Sequence, residues 1–196
     1  MKNKINLEKL TNFLFEIGTM RKIARSHRQT LLTNDLSDNI SSHSFRVTMI
    51  GLMLAQLENV DVKKVLIMCL THDISEVRSG DQNWVHKKFV KVFEDEIINS
   101  QMEDLPDKAG VKKIIKEYQE RKSLESKIAK DADLIDQILL LKEYEWQGNQ
   151  EAQRWLKGKA IISLLSTASS KKLVSKIYQQ NPSDWWSHGG WSNNRR

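Results

Sequence analysis

A chain of 196 residues is long enough for one domain with a real core and too short for two comfortable ones. Eight glycines and two prolines, set among many Leu, Ile, Lys and Glu, exclude a turn-rich β architecture and predict an all-helical fold. With 31 Lys plus Arg against 25 Asp plus Glu the net charge is only +6. The basic residues lie in scattered pairs such as Lys87-Lys88, Lys112-Lys113 and Lys171-Lys172, which argues against nucleic acid as the main partner.

No run of 18 apolar residues occurs, so no membrane span is expected. The first residues lead into an amphipathic pattern and not into the apolar core of a secretion signal. Cys69, the only cysteine, lies inside an apolar run and reads as core packing. Without a disulfide framework, a reducing, cytoplasmic setting is expected.

Asn6 can cap a first helix of about 15–18 residues, along which Leu7, Leu10, Leu14 and Ile17 recur at helical spacing. A basic stretch, Arg21 to Arg28, follows and reads either as a solvated helix end or as an anion-binding arm. A polar loop is expected from Thr30 to about Asn39. A second helix then opens near Ser41. His43, Val47, Ile50, Leu54 and Leu57 fall on one stripe of it, so His43 points inward at the helix start.

Asp61 can cap a third helix, whose inward face carries Val62, Leu66, Cys69 and Asp73, with Val65 and His72 beside them. The stretch that follows, Thr71 to Asp81, concentrates one imidazole and three carboxylates: His72, Asp73, Glu76 and Asp81. Charged groups rarely continue a buried helix unless they are paired or hold a metal.

One helix is expected from Trp84 to about Ser100, with Val85, Phe89, Val92, Phe93 and Ile97 as its apolar set and His86 off that set. Pro106 breaks the chain, and Asp107 can start the next helix. Leu124 to Trp146 reads as a long helix with so little polar face that it must be buried. It nevertheless carries Asp131, Asp133 and Asp136, and periodicity does not say which of them turns to a site. Ala129 and Ala132 would let another helix approach closely. Further helices are expected from about Glu151 to Leu165 and from Lys171 to Tyr178. Residues 1–180 form the domain in this reading, and 181–196 form a tryptophan-rich tail that packs on the domain or on a second subunit.

Two inward imidazoles and two carboxylates make a borderline N/O donor set. It suits Mn, Fe, Co, Ni or Zn better than a purely hard ion such as Ca; one divalent ion is expected, Mg remaining among the candidates. Water on such an ion becomes acidic enough to attack a phosphorus centre.

His43, then His72-Asp73, then Asp133 resembles the ordered His…His-Asp…Asp pattern of the HD-domain metal phosphohydrolases. Ser41-Ser42-His43-Ser44, His72-Asp73-Ile74-Ser75-Glu76, Gly80-Asp81 and Ala129-Lys130-Asp131-Ala132-Asp133 resemble the 5'-deoxynucleotidase branch, over about Leu7 to Trp146. The resemblance implies an all-α HD-domain helical bundle with one divalent ion held by His43, His72, Asp73 and Asp133. It implies Glu76 and Asp81 as the catalytic carboxylates. Arg25 matches the family's arginine and would bind the substrate phosphate; His27 and Arg28, standing where relatives carry a tryptophan, are expected to bind substrate as well.

The expected function is metal-dependent 5'-nucleotidase action on (deoxy)nucleoside monophosphates by a homodimer. Alternatives are attack on a nucleoside triphosphate or an oligonucleotide phosphodiester, or a nucleotide sensor without turnover.

Overall fold

The computed structural model describes residues 6–103 and 105–187. Asn6 accepts from the backbone N–H groups of Glu8 and Lys9 and so caps α1 (Leu7–Ile17), which runs on into a 3₁₀ turn at Gly18–Lys22. A short α2 (Arg28–Leu31) precedes α3 (Ile40–Glu58), capped by Asn39. Asp61 caps α4 (Val62–Thr71), accepting from Lys64 N. Next come α5 (Glu76–Ser79), α6 (Trp84–Phe89), α7 (Glu94–Met102) and α8 (Lys108–Glu120), the last capped by Asp107. Ser123 caps α9 (Leu124–Trp146), which is followed by α10 (Gln150–Gly158), α11 (Ala160–Ser163), α12 (Ala168–Gln179) and α13 (Asp184–Ser187). Among the described residues there is no strand, only an isolated antiparallel bridge between Ala24 and Asn39. The expected all-helical bundle is the fold.

The long helix α9 is the axis of the bundle. It packs against α3, α4, α8, α10 and α12, and Ile128, Ala132, Ile135 and Ile138 of its stripe are fully buried. Burying each large aliphatic side chain contributes about 1.5–3 kcal/mol. Gly51 lets α3 and α4 meet closely: a Cβ there would stand 2.5 Å from Cys69 Sγ and 3.3 Å from Val65 Cγ1. That close approach matters because the two helices carry His43 and His72. A smaller cluster of Ile74, Ile98, Met102 and Ile115, joined by Phe13 and Ile17, anchors α1 and α7 beside the end of α4.

Three expectations are corrected. Trp84 to Ser100 is not one helix but α6 and α7, with Val90 extended between them. The charges suit the break: His86, Lys87 and Lys88 crowd the last turn of α6, while Glu94, Asp95 and Glu96 open α7, each matching the helix dipole at its end. Val85, Phe89 and Phe93 are exposed there and form no buried face. Leu57, expected inward, is exposed at the end of α3. The helix after Gly148 is interrupted at Lys159, which adopts φ 51° and ends α10 before α11 begins. In the tail, Trp185 and Trp186 are exposed. Residues 188–196, including Trp191, lie outside the described residues.

Candidate metal centre

The site forms where three helices present their polar positions to one point. His43 lies one turn into α3, and His72 and Asp73 follow the last turn of α4. Asp133 sits mid-way along α9. His43 Nε2 lies 3.2 Å from His72 Nε2, 3.4 Å from Asp73 Oδ2 and 3.3 Å from Asp133 Oδ1. His72 Nε2 lies 3.1 Å from Asp73 Oδ2. Donors around an ion with bonds of about 2.1 Å are spaced about 3.0 Å apart in an octahedral shell and about 3.4 Å in a tetrahedral one. The donor spacing here matches that range.

The other ring nitrogens fix which atoms face the centre. His72 Nδ1 is 2.8 Å from the carbonyl oxygen of Cys69, which can only accept, so Nδ1 carries a hydrogen and Nε2 is the atom turned to the centre. His43 Nδ1 donates to Asp136 Oδ2 at 2.7 Å. Asp136 is itself gripped by Arg46, whose Nη1 reaches Glu143 Oε1 at 2.5 Å. A carboxylate or carbonyl behind each ligating imidazole is the usual outer support of a metal site.

The electrostatics ask for a cation among these atoms. Burial alone would lower the His43 pKa, but Asp133, Asp136 and Asp73 more than offset it and raise it well above the ordinary value. Burial would raise Asp73 and Asp133. His72 and His43 hold Asp73 well below the usual carboxylate range, and Lys130 with the same histidines does so for Asp133. Lys130 Nζ lies 2.6 Å from Asp133 Oδ2. His43, His72 and Asp73 together form a compact group able to hold a metal ion. The residues therefore fit a divalent ion in donor type, spacing and outer support.

Glu76 and Asp81 stand beside this group on the wall of one cavity of about 710 Å³, which also takes in Arg25, Tyr118, Lys130 and Asp133. Burial, with the Asp73 and Asp81 carboxylates, pushes Glu76 up to about 9. Its Oε2 is buried without a hydrogen-bond partner. Asp81 Oδ2 accepts from the Ser26 backbone N–H at 2.5 Å and from Ser26 Oγ at 3.0 Å. Arg25 lies between the two acidic groups, with Nη1 3.2 Å from Asp73 Oδ2 and Nε 3.5 Å from Asp81 Oδ2. The bridge that ties Ala24 to Asn39 holds this arginine at the entrance to α3.

The two neighbours assigned to the substrate are placed differently. His27 lines the cavity, yet its Nε2 is 2.8 Å from the buried Asp38 and is committed to that pair. Arg28 begins α2 and does not line the cavity, because the helical turn carries it away from Arg25.

The three aspartates of α9 separate by angle. Successive residues turn by about 100°, so Asp131 points about 160° away from Asp133 while Asp136 lies within about 60° of it. Asp131 is neither solvated nor paired with a lysine. It accepts from Ser166 N at 2.8 Å and from Thr167 N and Oγ1 at 2.9 Å, holding the start of α12. Asp136, buried as well, supports His43. Its spacing of three from Asp133 was the signal that could have found it. Tyr118 also went unnoticed in the sequence; its ring packs edge-on to His72 with centroids 5.8 Å apart.

An all-helical bundle that gathers His43, His72 and Asp73, sets Asp133 of α9 against the His43 ring, and keeps spare carboxylates and an arginine alongside defines a metal-dependent hydrolase of phosphate esters. The chain belongs to the HD-domain family, whose sequence profile matches residues 18–171. The 5'-deoxynucleotidase HDDC2 of Dictyostelium discoideum is 30% identical over 129 residues, 59% of this chain and 67% of that protein. A 5'-deoxynucleotidase of Erwinia tasmaniensis is 28% identical over 142 residues, 64% of this chain and 70% of that one. A solved structure titled a predicted metal-dependent phosphohydrolase, from Magnetospirillum magnetotacticum, superposes with a TM-score of 0.67 at 21% identity over 91% of this chain and 96% of its own. The chain is a metal-dependent phosphohydrolase.

Proposed function

We propose that the enzyme is a 5'-nucleotidase that hydrolyses (deoxy)nucleoside 5'-monophosphates to nucleoside and phosphate. The names of its relatives support the substrate class. The observation that carries the reaction is the pair Glu76 and Asp81, two carboxylates beyond the donor set on the wall of the same cavity. A site that only binds a nucleotide has no use for both, which argues against a sensor.

In this reading His43, His72, Asp73 and Asp133 hold one divalent ion. When bound, the ion would polarise the phosphoryl group and acidify a water. The donor set suits Mn, Co, Fe, Ni or Zn. Arg25, which the Asp73 and Asp81 carboxylates hold beside the donor set, turns its guanidinium to the phosphate oxygens. Glu76, on the wall of the same cavity, serves the departing 5' oxygen as proton donor. Asp81, held by Ser26, aims the attacking water.

Residues 1–180 constitute the domain and 181–196 an appended tail, and the protein works as a cytoplasmic homodimer. Cys69, buried and free, is compatible with a reducing compartment. Among the described residues no helix is long and apolar enough to cross a membrane.

One observation favours a second reading. Lys87, Arg121 and Lys130 also line the cavity and could meet further phosphates of a nucleoside triphosphate or an oligonucleotide. Metal-loaded protein assayed against deoxy- and ribonucleoside mono-, di- and triphosphates decides between the two. Free phosphate from monophosphates supports the nucleotidase reading. Pyrophosphate from triphosphates, with monophosphates untouched, overturns it.

A further inference from the structure

An aromatic pair on the cavity wall takes no part in the steps above. Trp84 opens α6 and Trp155 lies on α10; their rings stack with centroids 5.4 Å apart and planes 14° from parallel. Both line the cavity that contains Asp73, Glu76 and Asp81. Trp84 remains 72% exposed although one of its faces rests on Trp155, so the other face is open.

The platform is tied to the catalytic carboxylate. Asn83 caps α6, and its Nδ2 donates to Gln29 Oε1 at 3.2 Å and to the Ser26 carbonyl at 3.5 Å. Ser26 is the residue that holds Asp81. The ring therefore starts from a backbone fixed to the acidic centre on one side and is braced by Trp155 on the other. A phosphate seated among the donors directs the rest of its ester outward along the cavity. A volume of about 710 Å³ has room for more than the phosphate.

We infer that Trp84, braced by Trp155, is the stacking surface for the nucleobase of the substrate. The inference rests on the nucleotidase reading and names how that site grips the part of the substrate farthest from the reacting bond. Stacking uses the π face that every base offers, so it selects for the presence of a base and little for its identity.

The test compares metal-loaded, full-length wild type with Trp84→Ala on dAMP and on deoxyribose 5-phosphate, which carries the same phosphate and sugar without a base. The expected result is that wild type prefers dAMP. Trp84→Ala then lowers the ratio of kcat/KM for dAMP over deoxyribose 5-phosphate by about 5- to 100-fold, chiefly through KM, and Trp84→Phe restores part of it. A purely structural role for Trp84 would move both substrates together and leave the ratio unchanged, which would overturn the inference. Should Trp84→Ala fail to fold, wild type still decides: equal kcat/KM for the two substrates overturns it. A wild type that hydrolyses no nucleoside monophosphate would remove the nucleotidase reading and this inference with it, whereas an unchanged ratio removes the inference alone.

Discussion

Replacing Asp136 with Asn keeps volume and shape but removes the negative charge behind His43. In the structure Asp136 Oδ2 takes the His43 Nδ1 hydrogen at 2.7 Å while Oδ1 engages Arg46, and His43 is itself buried. Outer-support residues of this kind are worth about 10- to 100-fold in metal affinity, or about 1.4–2.7 kcal/mol. A charged, buried acceptor at this distance belongs near the upper end. Competition of Asp136→Asn with a chelating dye for Co or Mn measures the loss directly. Two companions bracket it. Asp133→Ala removes a donor and is expected to lose the ion altogether. Asp131→Ala strips three hydrogen bonds from the start of α12 and is expected to lower the melting temperature by several degrees with metal affinity intact. Wild-type affinity in Asp136→Asn would refute the role given to the carboxylate. Loss of metal in Asp131→Ala but not in Asp133→Ala would refute the placement of the ion.

Glu76→Gln and Asp81→Asn are each expected to keep the metal and to melt within a few degrees of wild type, yet to lose about 10²-fold or more in kcat; near-normal turnover in both would reduce them to structural residues. Arg25→Ala is expected to raise KM for the nucleotide without weakening metal binding, since it removes a cation that competes for Asp73 and Asp81. A steady-state KM equal to wild type speaks against phosphate contact. Gly51→Ala is expected to cost about 1–3 kcal/mol through overpacking against Cys69 and Val65, less the helix-propensity gain of about 1 kcal/mol. A melting temperature above that of wild type would contradict the close approach of α3 and α4.

Long-range order was legible where local chemistry and burial agreed. Asn6, Asp61 and Asp107 each cap the helix their position suggested, and Leu124 to Trp146 runs unbroken because its apolar width demands burial throughout. The break between α6 and α7 was missed because apolar spacing continues across Val90 to Phe93. The stronger signal there was the switch from basic to acidic residues. The candidate site was legible in part for a related reason. His43, His72 and Asp73 sit at helix ends, where a polar residue on an inward stripe stands out. On α9 three aspartates compete, and choosing among them needed the family pattern. Only the tertiary contacts reveal that Asp131 ties down α12, while the spacing of Asp136 from Asp133 left room for its place behind His43. Likewise, nothing local announced that His27 would be spent on Asp38.

The most direct test of the central claim is a single preparation assayed twice, for bound metal by elemental analysis and for phosphate released from a deoxynucleoside 5'-monophosphate, before and after chelation. The account predicts one divalent ion per chain, phosphate release while it is bound, loss of both on chelation and return of both on adding Mn or Co. Full hydrolysis by protein stripped of its ion would contradict it, as would a chain that holds one ion and releases no phosphate.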